Sequence, residues 1–210
     1  AVDVERGPAG VVSDGADNLF FADSAQHTIR HLAIANRTVT TLAGSPGAAG
    51  SSDGVGEAAR FASPWGVASD GAGNLLVTDT ANHTVRRIRV GSGAVTTVAG
   101  SPGVAGSDDG VGSTARFNRP MGIASDGEGN FFVADADNCS IRKLAAATGA
   151  VTTVVGAPGE CGIRLGPLPA QLGHPRGLAF LPPGNLFIAT SAEPIGATAV
   201  GESTILAARF

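Results

Sequence analysis

Tyrosine is absent from this chain of 210 residues, and tryptophan and methionine occur once each. Without a phenol, enzymes built on a His/Tyr/metal centre match poorly, and no G-x-S-x-G elbow or nucleophile–base pairing replaces it. Charged residues make up only 15% of the chain, with a balance of −4 at pH 7. No Lys/Arg cluster with interleaved aromatics occurs, which argues against a nucleic-acid partner. No apolar run approaches the roughly 18–20 residues of a membrane span, and no signal segment opens the chain. No window sustains a helical period either; the alanines at 145–147 are too few for a helix.

What the chain does have is a period. The stretch from Pro64 to Gly100, PWGVASDGAGNLLVTDTANHTVRRIRVGSGAVTTVAG, returns from Pro120 to Gly156, 56 positions on. An earlier copy starts at Pro8, and a fourth starts at Pro175 and then degrades. The approximate repeats are 8–63, 64–119, 120–174 and 175–210, within one domain of residues 1–210. Each copy holds four β-type runs separated by Gly, Asp, Asn and Pro. In the second copy these are Gly66 to Ala68, Leu75 to Val77, Thr84 to Val90 and Val95 to Val98. The second run is apolar on consecutive positions, so both of its faces should be buried.

A four-stranded sheet of this kind cannot cover both faces alone. Radial stacking of such sheets covers them and leaves only short edges, which predicts an all-β propeller of about four blades. The small residues of the first run (Gly10, Gly66, Gly122 and Gly177) suit the crowded innermost strand. A stack of open sandwiches is the competing architecture. The fourth copy ends at a plausible third strand, Thr204 to Phe210. Ala1 to Glu5, where Val2 and Val4 alternate with acidic residues, is expected to supply the missing strand and close the ring. The rivals are an open fragment of a larger propeller, or two chains sharing one ring.

The run G-[VI]-A-x-D-x-x-G-N-[LF]-x-V-x-D-x-x-N-H-x-[VI]-R-[RK]-[IL], followed by G-x-[VI]-T-T-[VL]-[AV]-G, resembles the NHL repeat. Asn82-His83 and the degenerate Gln26-His27 occupy the positions that name that family. The loops Ala59-Arg60-Phe61 and Ala115-Arg116-Phe117 resemble its bacterial secreted branch. The resemblance implies a propeller, usually of six blades, that serves as an interaction or ligand-binding platform. It also implies a secreted protein, extracellular or periplasmic, whose signal segment has been removed from this chain.

There are two cysteines. Cys139 takes the His83 position in the third copy, and Cys161 follows the fourth strand of that copy. In a propeller both loops emerge on one face, which makes a disulfide geometrically possible; two free thiols are the alternative. The surrounding NCSIRK and GECG also resemble secreted NHL repeats that carry such a bridge. A disulfide places a protein in an oxidising compartment.

The Asp at 23, 79 and 135 ends each second strand and is expected to accept amides of the following turn and to pair with the Arg seven positions on. Copy four substitutes Thr190 for it, and has Leu206 or Ala207 for the Arg. The loops 52–56 and 108–112 are read as flexible turns; they lack the alternating ligands of a calcium site. The four histidines form no HxH or HExxH, which argues against zinc. No cofactor is expected, calcium being the one ion left open.

The residue after each repeat proline differs between copies: Ala9, Trp65, Met121, Arg176. Trp65, Met121 and Arg176 are therefore the candidate ligand-binding residues, at the channel mouth, with Arg60, Arg116 and Arg119 as its rim. The competing reading makes Trp65 and Met121 a plug. The expected function is non-enzymatic binding of a protein, small-molecule or glycan ligand. The alternatives are a structural subunit that self-associates through blade edges, and a metal-dependent propeller lyase.

Overall fold

A computed structural model describes residues 7–162, 171–181, 184–191 and 203–209. The first sheet comprises β1 (Pro8–Ser13), β2 (Asn18–Asp23), β3 (Thr28–Ala33) and β4 (Thr38–Ala43). The second adds a two-residue strand, β5 (Gly54–Val55), to β6 (Pro64–Ser69), β7 (Asn74–Asp79), β8 (Thr84–Arg89) and β9 (Ala94–Gly100). The third repeats this with β10 (Gly110–Val111), β11 (Pro120–Ser125), β12 (Asn130–Asp135), β13 (Ser140–Ala145) and β14 (Ala150–Val155). The fourth is described as β15 (His174–Leu181), β16 (Asn185–Ser191) and β17 (Ser203–Arg209). All pairings within the sheets are antiparallel, and the four sheets are the blades of a β-propeller.

The D-G-x-G-N turn joins the first two strands of blades two and three. Asp70 Oδ1 accepts the amides of Ala72 and Asn74, and its other oxygen accepts the Asn74 amide side chain. Gly71 and Gly73 sit at φ +70° and +90°, a region only glycine enters freely. The inner strands β1, β6, β11 and β15 then pack side by side. A Cβ on Gly66 would lie 2.4 Å from the Met121 carbonyl, and one on Gly122 would lie 2.5 Å from that of Arg176. Nothing larger than glycine permits that approach.

Three apolar seams hold the blades together. Phe20, Ala22 and Ile29 of blade one meet Leu75, Val77 and Ile88 of blade two. Leu76 and Val85 then meet Phe131, Val133 and Leu144, and Phe132 and Ile141 meet Leu186 and Ile188. Consecutive residues of each second strand thus serve opposite seams, as the unbroken apolar runs of β7 and β12 require.

One expectation changes. The loops 52–56 and 108–112 are not loose turns: β5 and β10 extend the sheets outward on β9 and β14. Asp53 accepts the Thr97 amide and hydroxyl and pairs with Arg86, and Asp109 does the same with Thr153 and Arg142. The expected closing strand at Ala1 to Glu5 and the Gly/Ala-rich loop at 192–202 lie outside the described residues.

Candidate ligand-binding site

The strand-ending aspartates build the face on which a ligand could sit. Asp79 and Asp135 are fully buried, and so are Arg86 and Arg142 seven positions on. Arg86 donates from Nη1 to Asp79 Oδ2 at 2.7 Å; Arg142 reaches Asp135 at 2.8 Å. The amide that each Asp accepts comes from Ala62 or Asn118, in the loop before the inner strand. In blade one the donor is Gln26, in the turn after Asp23. The guanidiniums also bond the Arg60 and Arg116 carbonyls and lie over Phe61 and Phe117, 5.2 and 5.4 Å from the ring centres. Burial pushes the Asp79 and Asp135 carboxyls up to about 6, against the hydrogen bonds and arginine charge that favour the anion. The A-R-F motif is therefore a clamp on the Asp–Arg pair of the repeat that follows it.

That clamp decides where the sequence-selected arginines point. Arg60 Nη1 donates to the carbonyls of Glu57 and Ala59, and Arg116 Nη1 to those of Ser113 and Ala115. Both side chains fold back onto their own loops, and neither lines the two cavities described below. Arg119 does belong to the mouth. Its backbone is left-handed (φ +52°), its amide donates to His83 Nδ1 at 3.0 Å, and its Nε lies 3.6 Å from Asp137 Oδ2.

The same seam bond recurs upstream, where the Ser63 amide donates to His27 Nδ1 at 3.0 Å. His27 and His83 are held at φ +57° and +59° by the turn after the second strand. The name-giving histidines are thus blade-to-blade acceptors. Burial, with Arg119 nearby, lowers the basicity of His83 below the usual imidazole value, partly countered by Asp137. In the third copy Cys139 stands at this position, also left-handed (φ +52°), and is joined to Cys161. His174 Nδ1 lies 3.1 Å from the Ala136 carbonyl, which can only accept, so that nitrogen carries the proton. Cys139, Cys161 and His174 cluster within 4.8 Å, but a disulfide and a protonated ring nitrogen do not make a metal ligand set.

Two cavities meet at Trp65. One, of about 460 Å³, runs along the axis between the inner strands and is lined by Ala9, Trp65 and Arg176. The other, about 470 Å³, opens at the mouth between blades one to three, with Gln26, His27, Ser63, Trp65, Arg119 and Met121 on its walls. A bulge between Pro64 and Val67 turns the half-buried indole into the space shared by both. Met121 is only 1% exposed, so it forms the floor rather than a contact surface. Of the six residues selected from sequence, the structure brings Trp65, Met121 and Arg119 into the mouth and Arg176 into the channel. Gln26 and His27 escaped selection because they read as the repeat's name-giving pair, and Ser63 because a lone loop serine carries no aromatic or charged signal.

These features define a β-propeller of repeated four-stranded blades. The NHL repeat family model matches residues 61–88. Over 187 residues the chain is 32% identical to NHL repeat-containing protein 2 of Bos taurus, covering 84% of this chain and 26% of that protein. The matched repeat and this relative support the NHL-repeat family. The chain spans about a quarter or less of the length of the curated relatives it matches. Among solved structures, an auxiliary nutrient binding protein from Bacteroides thetaiotaomicron VPI-5482 is similar, with a TM-score of 0.68 at 19% identity. That match covers 85% of this chain and 44% of that one. A streptogramin B lyase covers 98% of this chain and 56% of its own, with a TM-score of 0.59 at 13% identity. At these identities the likeness shows the fold alone. No helix among the described residues is long and apolar enough to cross a membrane.

Proposed function

We propose that this protein is a non-enzymatic binding module that seats a small, hydroxyl-rich acidic molecule, such as a uronic-acid oligosaccharide, in the mouth cavity. The observation that carries the reading is the position of Trp65, whose indole borders both the mouth and the channel. A flat apolar ring suits a sugar face, and amides, hydroxyls and two arginines stand around it to orient hydroxyl and carboxylate groups. The imidazole on the cavity wall, His27, is occupied through Nδ1 in accepting the Ser63 amide. That role makes it part of the scaffold rather than a general base. The blades hold these groups rigid, so binding costs little ordering of the protein. The Cys139–Cys161 bridge supports an oxidising location, extracellular or periplasmic, in line with the secreted bacterial NHL branch.

Because Trp65 is the single tryptophan, its emission reports the site directly. Titration with oligogalacturonate should shift that emission saturably, and calorimetry should show the binding lost in Trp65→Ala. An unchanged emission across a panel of neutral and acidic oligosaccharides would overturn the glycan assignment. Turnover of the probe into a new product would overturn the non-enzymatic one.

A further inference from the structure

The repeat shows where one seam departs from the other two. Four positions around the turn after the second strand recur in register from copy to copy. At the first seam they are Ala25, His27, Ala49 and Ser63, and at the second Ala81, His83, Ala105 and Arg119. At the third they are Asp137, Cys139, Cys161 and His174. Every one of the four has become a side chain that can ligate a metal. The positions are equivalent in the fold as well as in the sequence. The amides of Ala81 and Asp137 donate to the carbonyls of Ala62 and Asn118, and His83 and Cys139 share a left-handed backbone.

The four side chains converge. The two sulfurs and His174 Nδ1 lie within 4.8 Å of one another, with Cys139 Sγ 3.8 Å from that nitrogen. Asp137 Oδ1 is 3.8 Å from the same nitrogen, and this oxygen is buried with no hydrogen-bond partner among the described residues. Cys139 and His174 are buried too. Around a tetrahedral zinc, with bonds of about 2.3 Å to sulfur and about 2.0 Å to nitrogen, neighbouring donors stand roughly 3.3–3.8 Å apart. The spacing therefore suits such an ion, and what withholds the ligand set is the bond between the two sulfurs.

We propose that this seam is a redox-gated metal site, in which the opened Cys139–Cys161 bridge, His174 and Asp137 hold one divalent ion of the zinc type. The reductant is a dithiol. Cys161 is exposed, so a thiolate of that dithiol can attack its Sγ. The bond between the sulfurs breaks, and Cys139 leaves as a thiolate beside the Nδ1–H of His174. The second thiol of the reductant then displaces Cys161. The reductant ends as its own disulfide, and the protein gains two electrons and two protons as two thiols. Binding the ion releases both thiol protons, and the His174 proton moves from Nδ1 to Nε2 so that Nδ1 can ligate. Two thiolates and an imidazole select zinc over calcium or magnesium. The ion then joins the same turn and loop that the covalent bond joins in the oxidised protein.

Cobalt(II), which reports zinc-type sites by its colour, tests this. Wild type reduced with a phosphine should bind one cobalt ion per chain, with a thiolate charge-transfer band and the intense visible bands of tetrahedral cobalt. Zinc should bleach them, and the oxidised protein should show none. Cys139→Ser, Cys161→Ser and His174→Ala should each weaken binding by at least about a hundredfold. Asp137→Ala should cost about tenfold, since water can take the fourth position. His174→Ala keeps both cysteines, so melting of its oxidised form shows whether it folds. In the wild type itself, zinc should raise the melting temperature of the reduced protein and leave that of the oxidised protein unmoved. A reduced wild type without the charge-transfer band, or an oxidised one that binds equally well, would overturn the proposal. So would a His174→Ala variant with the wild-type spectrum and affinity, which would leave only two thiols scavenging metal.

Discussion

Blades two and three have a polar skeleton that blade four has given up. In the former, a buried Arg bridges the strand-ending Asp, the loop before the inner strand and the outer Asp53 or Asp109. Two strands and two loop segments are thereby tied through one guanidinium. In blade four Thr190 replaces the Asp, and the register places Leu206 where the Arg stands. Blade four packs on blade three through apolar contacts, and the Cys139–Cys161 bridge ties a turn of blade three to the loop that leads to blade four. The contrast teaches that the periodic charges of these repeats are internal braces, and that a blade without them can still be held by apolar packing.

The sharpest way to break the comparison is to remove one brace. Asp135→Ala leaves Arg142 buried without its carboxylate, and a loss of about 3–5 kcal/mol of stability is expected by urea unfolding. Asp79→Ala should behave alike. Thr190→Ala at the same position of blade four should cost under about 1 kcal/mol, because no charge is orphaned. A Thr190→Ala loss as large as the Asp135→Ala loss would show that the brace is not what separates the blades.

The Cys139–Cys161 bridge comes next in size. Replacing both cysteines by serine frees a loop whose ends are 22 residues apart, which should lower stability by about 2–4 kcal/mol. Reduction with a dithiol should reproduce the effect in the wild type and leave the double variant unmoved. If blade four were braced by apolar packing alone, neither treatment would shift the unfolding midpoint.

The period, the strand runs and the crowded glycines were legible in the residues because each reports a local demand: alternation, turn chemistry or close approach. The Asp–Arg pair was legible because its spacing recurs in three copies. The destination of the other half of each brace was not. Asp53 and Asp109 lie 33 residues upstream of their arginines, in Gly-rich loops whose composition reads as flexible, and only the fold brings them back. Arg60 and Arg116 misled for a related reason: a loop arginine next to a phenylalanine looks like a rim residue, yet its guanidinium binds carbonyls one and three residues away. In the site, Trp65 stood out as a unique aromatic at a variable position. The uncharged wall residues did not, since a ligand surface of glutamine and serine has the composition of any exposed turn.

The smallest effect distinguishes the histidine seam from the cysteine seam by pH. His83 must keep the Nδ1 lone pair that accepts the Arg119 amide, and its basicity is lowered by burial and by Arg119. Between its folded value and the ordinary 6.5, the unfolded chain binds the proton more readily than the folded one. Stability from this group is therefore complete above about 6.5 and is lost as the pH falls through the folded value. Asp79 and Asp135 act in the opposite sense. Raised to about 6 from an ordinary 3.8, they take up protons in the folded state first, and stability from them rises as the pH falls across that window. The two contributions oppose each other in the wild type, so the measurement is a difference. His83→Ala should cost about 1 kcal/mol at pH 7.5, the worth of the lost hydrogen bond, and progressively less as the solution is acidified below 6.5. The seam closed by Cys139 has a covalent bond where the other two have this acceptor nitrogen. A His83→Ala cost that stays constant with pH would place the value of that seam in packing rather than in the acceptor nitrogen.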